Sequence, residues 1–511
     1  MDAPKLPIRP SSARFFPFIS RSPSSTHNPY RRCIWISVSF LSLAFLLLYI
    51  VVSSRSSTSA RFGIVIDGGS SGTRIHIFSS KGIMGGFPLL DLKSMAVMRK
   101  TPGLSSYLGD PELSGESLVE LLEFAKEKVP NDWHKVTEVR LMATAGLRMV
   151  EVGLRERILE SCRRVLRLSG FQFKDDWATV IPGSDEGVYA WVAANYALGS
   201  LGSDPENTTG ILELGGASAQ VTFVSNEALS PEFSHVLTLG NTTYKLYSNS
   251  FLHFGQLCAD EESDQERTNI DPCSPNEFSH GGNFSKCRSA ALTLLQKEKG
   301  CKNLLSVFFF LIFWSICLFY LGIHHTLCSP DNCLYQQCHL GSSFLPKVQG
   351  EFIATENFYY TSKFFGLNPR SSLSDLILAG REFCEEDWSK NKQKYPSATE
   401  DLSRYCFSAA YIVALLHDSF GIPLDDRRIE YANQAGGIQI EWALGAYLTQ
   451  ATNSLEKNWT KPVLPDNIML LFLVTSTLLA FAAWLGYKWK QPGLKTIYDL
   501  EKGRYITTRV S

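Results

Sequence analysis

The stretch FGIVIDGGSSGTRIHIF, Phe62 to Phe78, decides the fold. It reads as an apolar strand, a Gly/Ser turn and a second apolar strand, the pattern of a β-hairpin. The turn itself is Asp67-Gly68-Gly69-Ser70-Ser71-Gly72-Thr73. Its glycines let the backbone fold tightly, so that successive N–H groups can point at one anion. The Ser and Thr hydroxyls add donors. An acid at the strand end can hold a hydrated divalent cation. The spacing is neither that of a P-loop nor that of a dinucleotide-binding fold. Taken alone, an ordinary Gly-rich hairpin accounts for it equally well.

A second stretch repeats the design. TGILELGGASAQVTFV, Thr209 to Val224, is again strand, Gly-rich turn and strand, with Glu213 before Gly215, Gly216 and Ala217, then Ser218 and Gln220. Two acid–Gly–hydroxyl hairpins can grip a polyphosphate from both sides, and the pair is hard to reach by chance. Between them, Ala143-Thr144-Ala145-Gly146-Leu147-Arg148 offers a hydroxyl and a cation on a strand-to-helix turn. PGSDEGVYAWVAANY places Asp185 and Glu186 at a helix start. Acids there complement the helix dipole; the functional alternative is that Glu186 accepts a proton from water attacking a phosphate.

Outward from these motifs the chain alternates strands and helices. SLVELLEFAKEKV (Ser117 to Val129) and RERILESCRRVLRLSG (Arg155 to Gly170) have helical apolar spacing. The pattern is α/β, and the two hairpins suggest a duplicated fold. With 511 residues there is room for at least two domains. Lys plus Arg is 49 against 50 Asp plus Glu, and no basic block stands out in the body, so nothing indicates nucleic acid. Cys258, Cys273, Cys287, Cys301, Cys328, Cys333, Cys338 and Cys384 cluster in one region, and Cys406 follows. Without a CxxC pair or histidines at ligand spacing, disulfides in an oxidising compartment are the better reading than zinc. Sequons at Asn207, Asn241, Asn283 and Asn458 agree with a luminal or extracellular body.

Three apolar runs are long enough to cross a bilayer. Ile34 to Val52 follows Arg31 and Arg32; Ile468 to Tyr487 precedes Lys488, Lys490 and Lys495. Positive charge on the outer side of each places both termini in the cytosol. The third run, Leu304 to Ile323, breaks the parity: a span there would put the two halves of the body on opposite faces. Read without it, Cys301 would join almost directly to CSPDNCLYQQC. The expectation is that roughly residues 302–327 lie outside the working enzyme, an unspliced intron being one cause.

Five stretches together form a signature: IVIDGGSSGTRIHIF, ATAGLR, PGSDEGVYAWVAANY, GILELGGASAQVTF and YANQAGGIQIEWALGAYL. In order, they resemble the conserved regions of the apyrases, or nucleoside triphosphate diphosphohydrolases (GDA1/CD39-like). ATENFYYTSKFFGL resembles the plant membrane-anchored branch. The resemblance implies an actin-like ATPase fold of two RNase H-like lobes with a nucleotide cleft, flanked by transmembrane helices. It implies hydrolysis of nucleoside tri- and diphosphates to the monophosphate with Ca2+ or Mg2+. It makes Gly69, Ser70, Ser71, Gly72, Thr73, Thr144, Gly215, Gly216 and Ala217 phosphate-binding. Asp67 and Glu213 would bind the metal through water, Glu186 would be the general base, and Ser218 and Gln220 would orient the attacking water. Glu213 stands where many relatives have Asp, and Gly72 where animal members often have His or another residue. Tyr411 reads more readily as a helix-core residue than as a base contact, and Trp442 as structural.

The organisation expected is a disordered cytosolic tail (1–33), an anchor (34–52), lobe I (61–183 with 428–455), lobe II (184–427), an anchor (468–487) and a cytosolic tail (488–511). The body would face the Golgi or endomembrane lumen or the cell exterior. A catalytically silent nucleotide-binding relative, inactivated by the 304–323 insert, is the alternative. Another actin-fold enzyme, such as a sugar kinase or exopolyphosphatase, fits the Gly turns but not the whole motif set.

Overall fold

A computed structural model describes residues 60–256, 273, 282–296, 338–340, 343–396, 402, 404–459, most of 474–482 and 494–509. The runs at 34–52 and 304–323 lie outside the described residues, as does most of 468–487. Among the described residues no helix is long and apolar enough to cross a membrane.

The protein is built on two mixed sheets. In the first, β1 (Ala60–Gly68) lies at the centre. It pairs antiparallel with β2 (Thr73–Met84) and parallel with β5 (Glu138–Ala143). β3 (Phe87–Leu90) and β4 (Ala96–Lys100) both pair with β2, and β6 (Ala178–Val180) extends the sheet beyond β5. Ile64, Val65 and Ile66 are all buried, the mark of a central strand covered on both faces.

The second sheet repeats the plan. β7 (Gly210–Leu214) is central and pairs antiparallel with β8 (Ser218–Val224). Beyond β8 lie β10 (Thr242–Leu252) and β9 (Ser234–Leu239). After a short hairpin, β11 (Cys338–Leu340) with β12 (Ser343–Phe344), the chain adds β13 (Phe352–Glu356) parallel to β7 and β14 (Ile429–Tyr431) parallel to β13. Each sheet thus has a central strand, an antiparallel hairpin partner on one side and two parallel strands on the other. β14 departs from the expected boundaries: residues 429–431, assigned from sequence to the first lobe, hydrogen-bond into the second sheet. The parallel register of Phe352 with Ile429 fixes them there.

Two helices join the sheets. Gly183–Leu198 is buried nearly all round because Ala190, Ala193 and Ala194 allow close approach, and it ends at Gly199 in the left-handed conformation (φ 73°). It packs on Trp442–Trp459, and the two share a core with Val65, Phe78, Ile211 and Leu246. Separate cores fill the outer face of each sheet. Tyr411 belongs to the second of these: it is 1% exposed, and its hydroxyl donates to the Phe254 carbonyl at 2.9 Å. Trp442 is likewise core.

The cysteine-rich region, irregular by sequence, contains a described helix, Phe284–Gln296. Cys287 lies there at disulfide spacing from Cys273, and Cys384 likewise from Cys406; Cys162 is a buried free thiol. Asn207, Asn241 and Asn283 are exposed. Within the tail expected at 488–511, β17 (Leu494–Asp499) and β18 (Arg504–Arg509) form a hairpin; β15 (Gln434–Ala435) and β16 (Ile438–Gln439) form another.

Candidate active site

The two Gly-rich turns are the β1–β2 and β7–β8 connections, so duplicated topology brings duplicated loops to the same end of their sheets. Asp67, one residue before the end of β1, lies opposite Arg74, and Glu213, one residue before the end of β7, lies opposite Gln220. The first loop is held from outside. Thr144 N–H donates to the Gly68 carbonyl at 3.2 Å. Gly146 packs so closely that a Cβ there would stand 2.8 Å from Ser70 Cα, and Gly103 leaves equally little room beside the Gly69 and Ser70 carbonyls. The second loop is closed by Gly215 N–H to the Ser218 carbonyl at 3.0 Å. Asn357 Nδ2 donates to the Leu214 carbonyl at 2.8 Å, and Gly255 lies against Gly216 and Ala217 without space for a side chain.

Glu186, in the first turn of the helix Gly183–Leu198, faces Arg148, which ends the short helix Ala145–Arg148. Arg148 Nη2 donates to Glu186 Oε2 at 2.8 Å and to Ser218 Oγ at 3.4 Å, while Nη1 donates to the Ile181 carbonyl at 3.2 Å. Gln220 Nε2 donates to Ser218 Oγ at 2.6 Å and to Ser250 Oγ at 3.2 Å. Arg148, Glu186, Ser218 and Gln220 therefore form one network, built from three separate sequence motifs. Chemically, such an arrangement could let Glu186, oriented by a cation, act as a base beside two polar groups able to hold a water.

The carboxylates crowd one another. Burial pushes Glu186 up to about 7 against the opposing charge of Arg148, with Asp67 and Glu356 adding to the rise. Burial also lifts Asp67 to about 6, moderated by Arg74 at 3.3 Å and by His76. Glu213 is pushed well above the ordinary range by burial and by its neighbours Glu186, Glu356 and Asp67. Among the described residues, four buried side-chain polar atoms at this site have no hydrogen-bond partner: Asp67 Oδ1, Thr73 Oγ1, Arg148 Nε and Glu213 Oε2. Buried polar atoms left unpaired are costly and call for a ligand or water. Among the described residues no three His, Cys, Asp or Glu side chains stand close enough to hold a metal ion directly. The orphan oxygens of Asp67 and Glu213, on acids pushed toward the neutral form, do fit a hydrated divalent cation, whose charge would favour ionisation.

Several residues of this cleft were not assigned from sequence. Glu356 ends β13 with φ 56°, a conformation L side chains rarely adopt; its N–H donates to Asn433 Oδ1 at 2.8 Å. Its field reaches Asp67, Glu186 and Glu213 alike. Glu441 accepts from His76 Nδ1 at 2.9 Å; burial raises it, but His76 and Arg74 bring it below its usual value. Arg74 and His76 belong to the first hairpin, and Glu441 to the closing motif. Arg74 meets Asp67 across that hairpin, whereas the pairing of His76 with Glu441 joins distant segments that no local pattern links.

The family match and the relatives of this chain define a nucleoside phosphohydrolase. A model of the GDA1/CD39 (nucleoside phosphatase) family matches residues 53–463, and the chain belongs to that family. It is 44% identical to Probable apyrase 6 of Arabidopsis thaliana, over all of this chain and 96% of that one. Ectonucleoside triphosphate diphosphohydrolase 3 of Mus musculus is 30% identical over 77% of this chain and 79% of its own. Among solved structures, nucleoside triphosphate hydrolases from Neospora caninum share the fold with TM-score 0.51 at 18% identity, covering 82% of this chain and 97% of theirs.

Proposed function

We propose that this protein is a membrane-anchored apyrase with an actin-like, two-lobed body. It would hydrolyse nucleoside tri- and diphosphates to the monophosphate and phosphate. The observation that carries this reading is Glu186, fixed by Arg148 and set beside Ser218 and Gln220 between two Gly-rich hairpins.

The terminal phosphates lie on the N–H groups and hydroxyls of Gly69 to Thr73, with Thr144 beside them and Gly215 to Ala217 opposite. Asp67 and Glu213 would hold Ca2+ or Mg2+ through its water shell, and the ion would supply charge neutralisation on the phosphate oxygens. Gln220 donates its amide N–H to Ser218 Oγ, which leaves the serine proton free to orient a water. Glu186 takes a proton from that water as its oxygen bonds to the terminal phosphorus. The bridging P–O bond breaks and its electron pair leaves with the shorter nucleotide. A carboxyl near pH 7 suits this task, since a base is most effective when its pKa lies near working pH.

Anchoring through 34–52 and 468–487 would place the body in the Golgi lumen or outside the cell. The exposed sequons at Asn207, Asn241 and Asn283 and the paired cysteines support that side. The segment around 302–327 would be dispensable for catalysis. The test is phosphate release from ADP by the purified full chain. Turnover that needs divalent metal supports the reading; metal-dependent binding of nucleotide without turnover makes the chain a silent relative instead.

A further inference from the structure

Among the described residues, three guanidinium groups stand around the phosphate loops, and two are committed to carboxylates. Arg74 pairs with Asp67 and Arg148 with Glu186. Arg99 differs. On β4 it lies directly opposite Arg74 of β2, and like charges in that relation destabilise a sheet. Among the described residues no carboxylate lies within salt-bridge reach of it; its Nη2 donates to a neutral group, Ser71 Oγ, at 3.1 Å. Its side chain lies along the first loop: a Cβ on Gly72 would stand 2.9 Å from Arg99 Nε and 3.5 Å from Nη2. The absence of a side chain at 72 makes room for the guanidinium. Arg99 is exposed, so a ligand on the loop can reach it.

Charge makes this placement useful. Asp67, Glu186, Glu213 and Glu356 surround a cleft meant for a polyanion, and two of its three guanidinium groups are already paired. We propose that Arg99 is a substrate-binding residue whose guanidinium takes a non-bridging oxygen of the phosphate chain seated on Gly69 to Thr73. The inference rests on the hydrolase reading above. Bound phosphate would also relieve the repulsion between Arg99 and Arg74. The planar fork of arginine suits phosphate oxygens, and a lysine would replace its charge but not its geometry.

The test uses the full-length protein with R99A and R99K. Calorimetry with a non-hydrolysable ADP analogue and divalent metal gives Kd; initial rates give kcat and KM for ADP. For R99A, Kd and KM should rise about tenfold or more, as for loss of a charge-assisted bond. Changes in kcat should be smaller, R99K should recover part of the affinity, and the Tm of R99A should not fall, because the side chain is exposed and its removal relieves the repulsion from Arg74. Unchanged Kd and KM in R99A beside an active parent overturn the inference and leave the hydrolase reading standing. A parent that binds the analogue through Arg99 but releases no phosphate overturns the hydrolase reading and supports the inference. Affinity lost in step with Tm and not recovered by R99K assigns Arg99 a merely structural role and overturns it.

Discussion

Glu186→Gln should abolish turnover and at the same time stabilise the metal-free protein at alkaline pH. The isosteric amide still offers Arg148 an oxygen at the 2.8 Å position but cannot take a proton from water. General-base catalysis contributes roughly 10²–10⁴-fold, so kcat should fall by that factor, about 3–5 kcal/mol of barrier. The stability effect follows from the same carboxyl. Its pKa stands at about 7 in the folded chain against 4.5 for an unperturbed glutamate. One unit is about 1.4 kcal/mol, so ionising Glu186 costs the folded state about 3 kcal/mol. The sign is set by proton count: between 4.5 and about 7 the folded chain holds a proton that the unfolded chain has lost. The parent therefore loses stability as pH rises through that window, and the glutamine variant does not. Any loss of the ion pair to Arg148 enters as an offset, so the informative quantity is the pH dependence of the difference. Denaturant unfolding of both proteins with a chelator, from about pH 4.5 to about pH 8, should show that difference shifting by about 3 kcal/mol in favour of E186Q. A pH-independent difference would refute the burial argument. A kcat within about tenfold of the parent would refute the role of Glu186 as base.

Other consequences follow from the same geometry. For the parent, kcat/KM with ADP should fall below about pH 7 and level off above it; a flat profile down to about pH 5 would assign the base elsewhere. D67N and E213Q each remove a carboxylate carrying an orphan oxygen, so half-maximal divalent metal should rise about 10–100-fold. The Tm increase that metal gives the parent should shrink with it, which differential scanning calorimetry would read. G146A places a Cβ 2.8 Å from Ser70 Cα and 2.9 Å from Ser105 Oγ. A displacement of the loop approaching 1 Å should lower kcat/KM about 10²-fold; full activity would mean that the loop's position is unimportant.

What the sequence disclosed and what it hid divide along one physical line. The hairpins at Asp67 and Glu213 were legible because strand, turn and strand are neighbours in the chain, and their registers follow from it. The helix carrying Glu186 was legible for the same reason. The link from Arg148 to Glu186 and Ser218 was not, since it joins residues 38 and 70 positions apart. Glu356 lies within ATENFYYTSKFFGL, where its neighbours do not mark it. Nothing local announces a left-handed residue at a strand end whose carboxylate faces a cleft formed by other strands. Arg99 lies in an ordinary half-exposed strand, and its place beside Arg74, Ser71 and Gly72 gives it meaning.

The unassigned residues also explain how the cleft tolerates its acidity. Gathering Asp67, Glu186, Glu213 and Glu356 in a partly dry space opposes folding, and burial of a charge is tolerable only with a partner. Arg74 and Arg148 partner two of the four; His76 is taken by Glu441. The remaining deficit matches the cargo proposed for the site, a cation that favours the carboxylates and a phosphate chain that favours the arginines. Each guest supplies what the other's hosts lack, so nucleotide and metal should bind with positive coupling, each raising the affinity for the other by the same factor. Glu356 sits where both fields meet, beside the acids Asp67, Glu186 and Glu213 on one side and Arg74, Arg99 and His76 on the other. Its backbone, at φ 56°, places a strained residue at that junction.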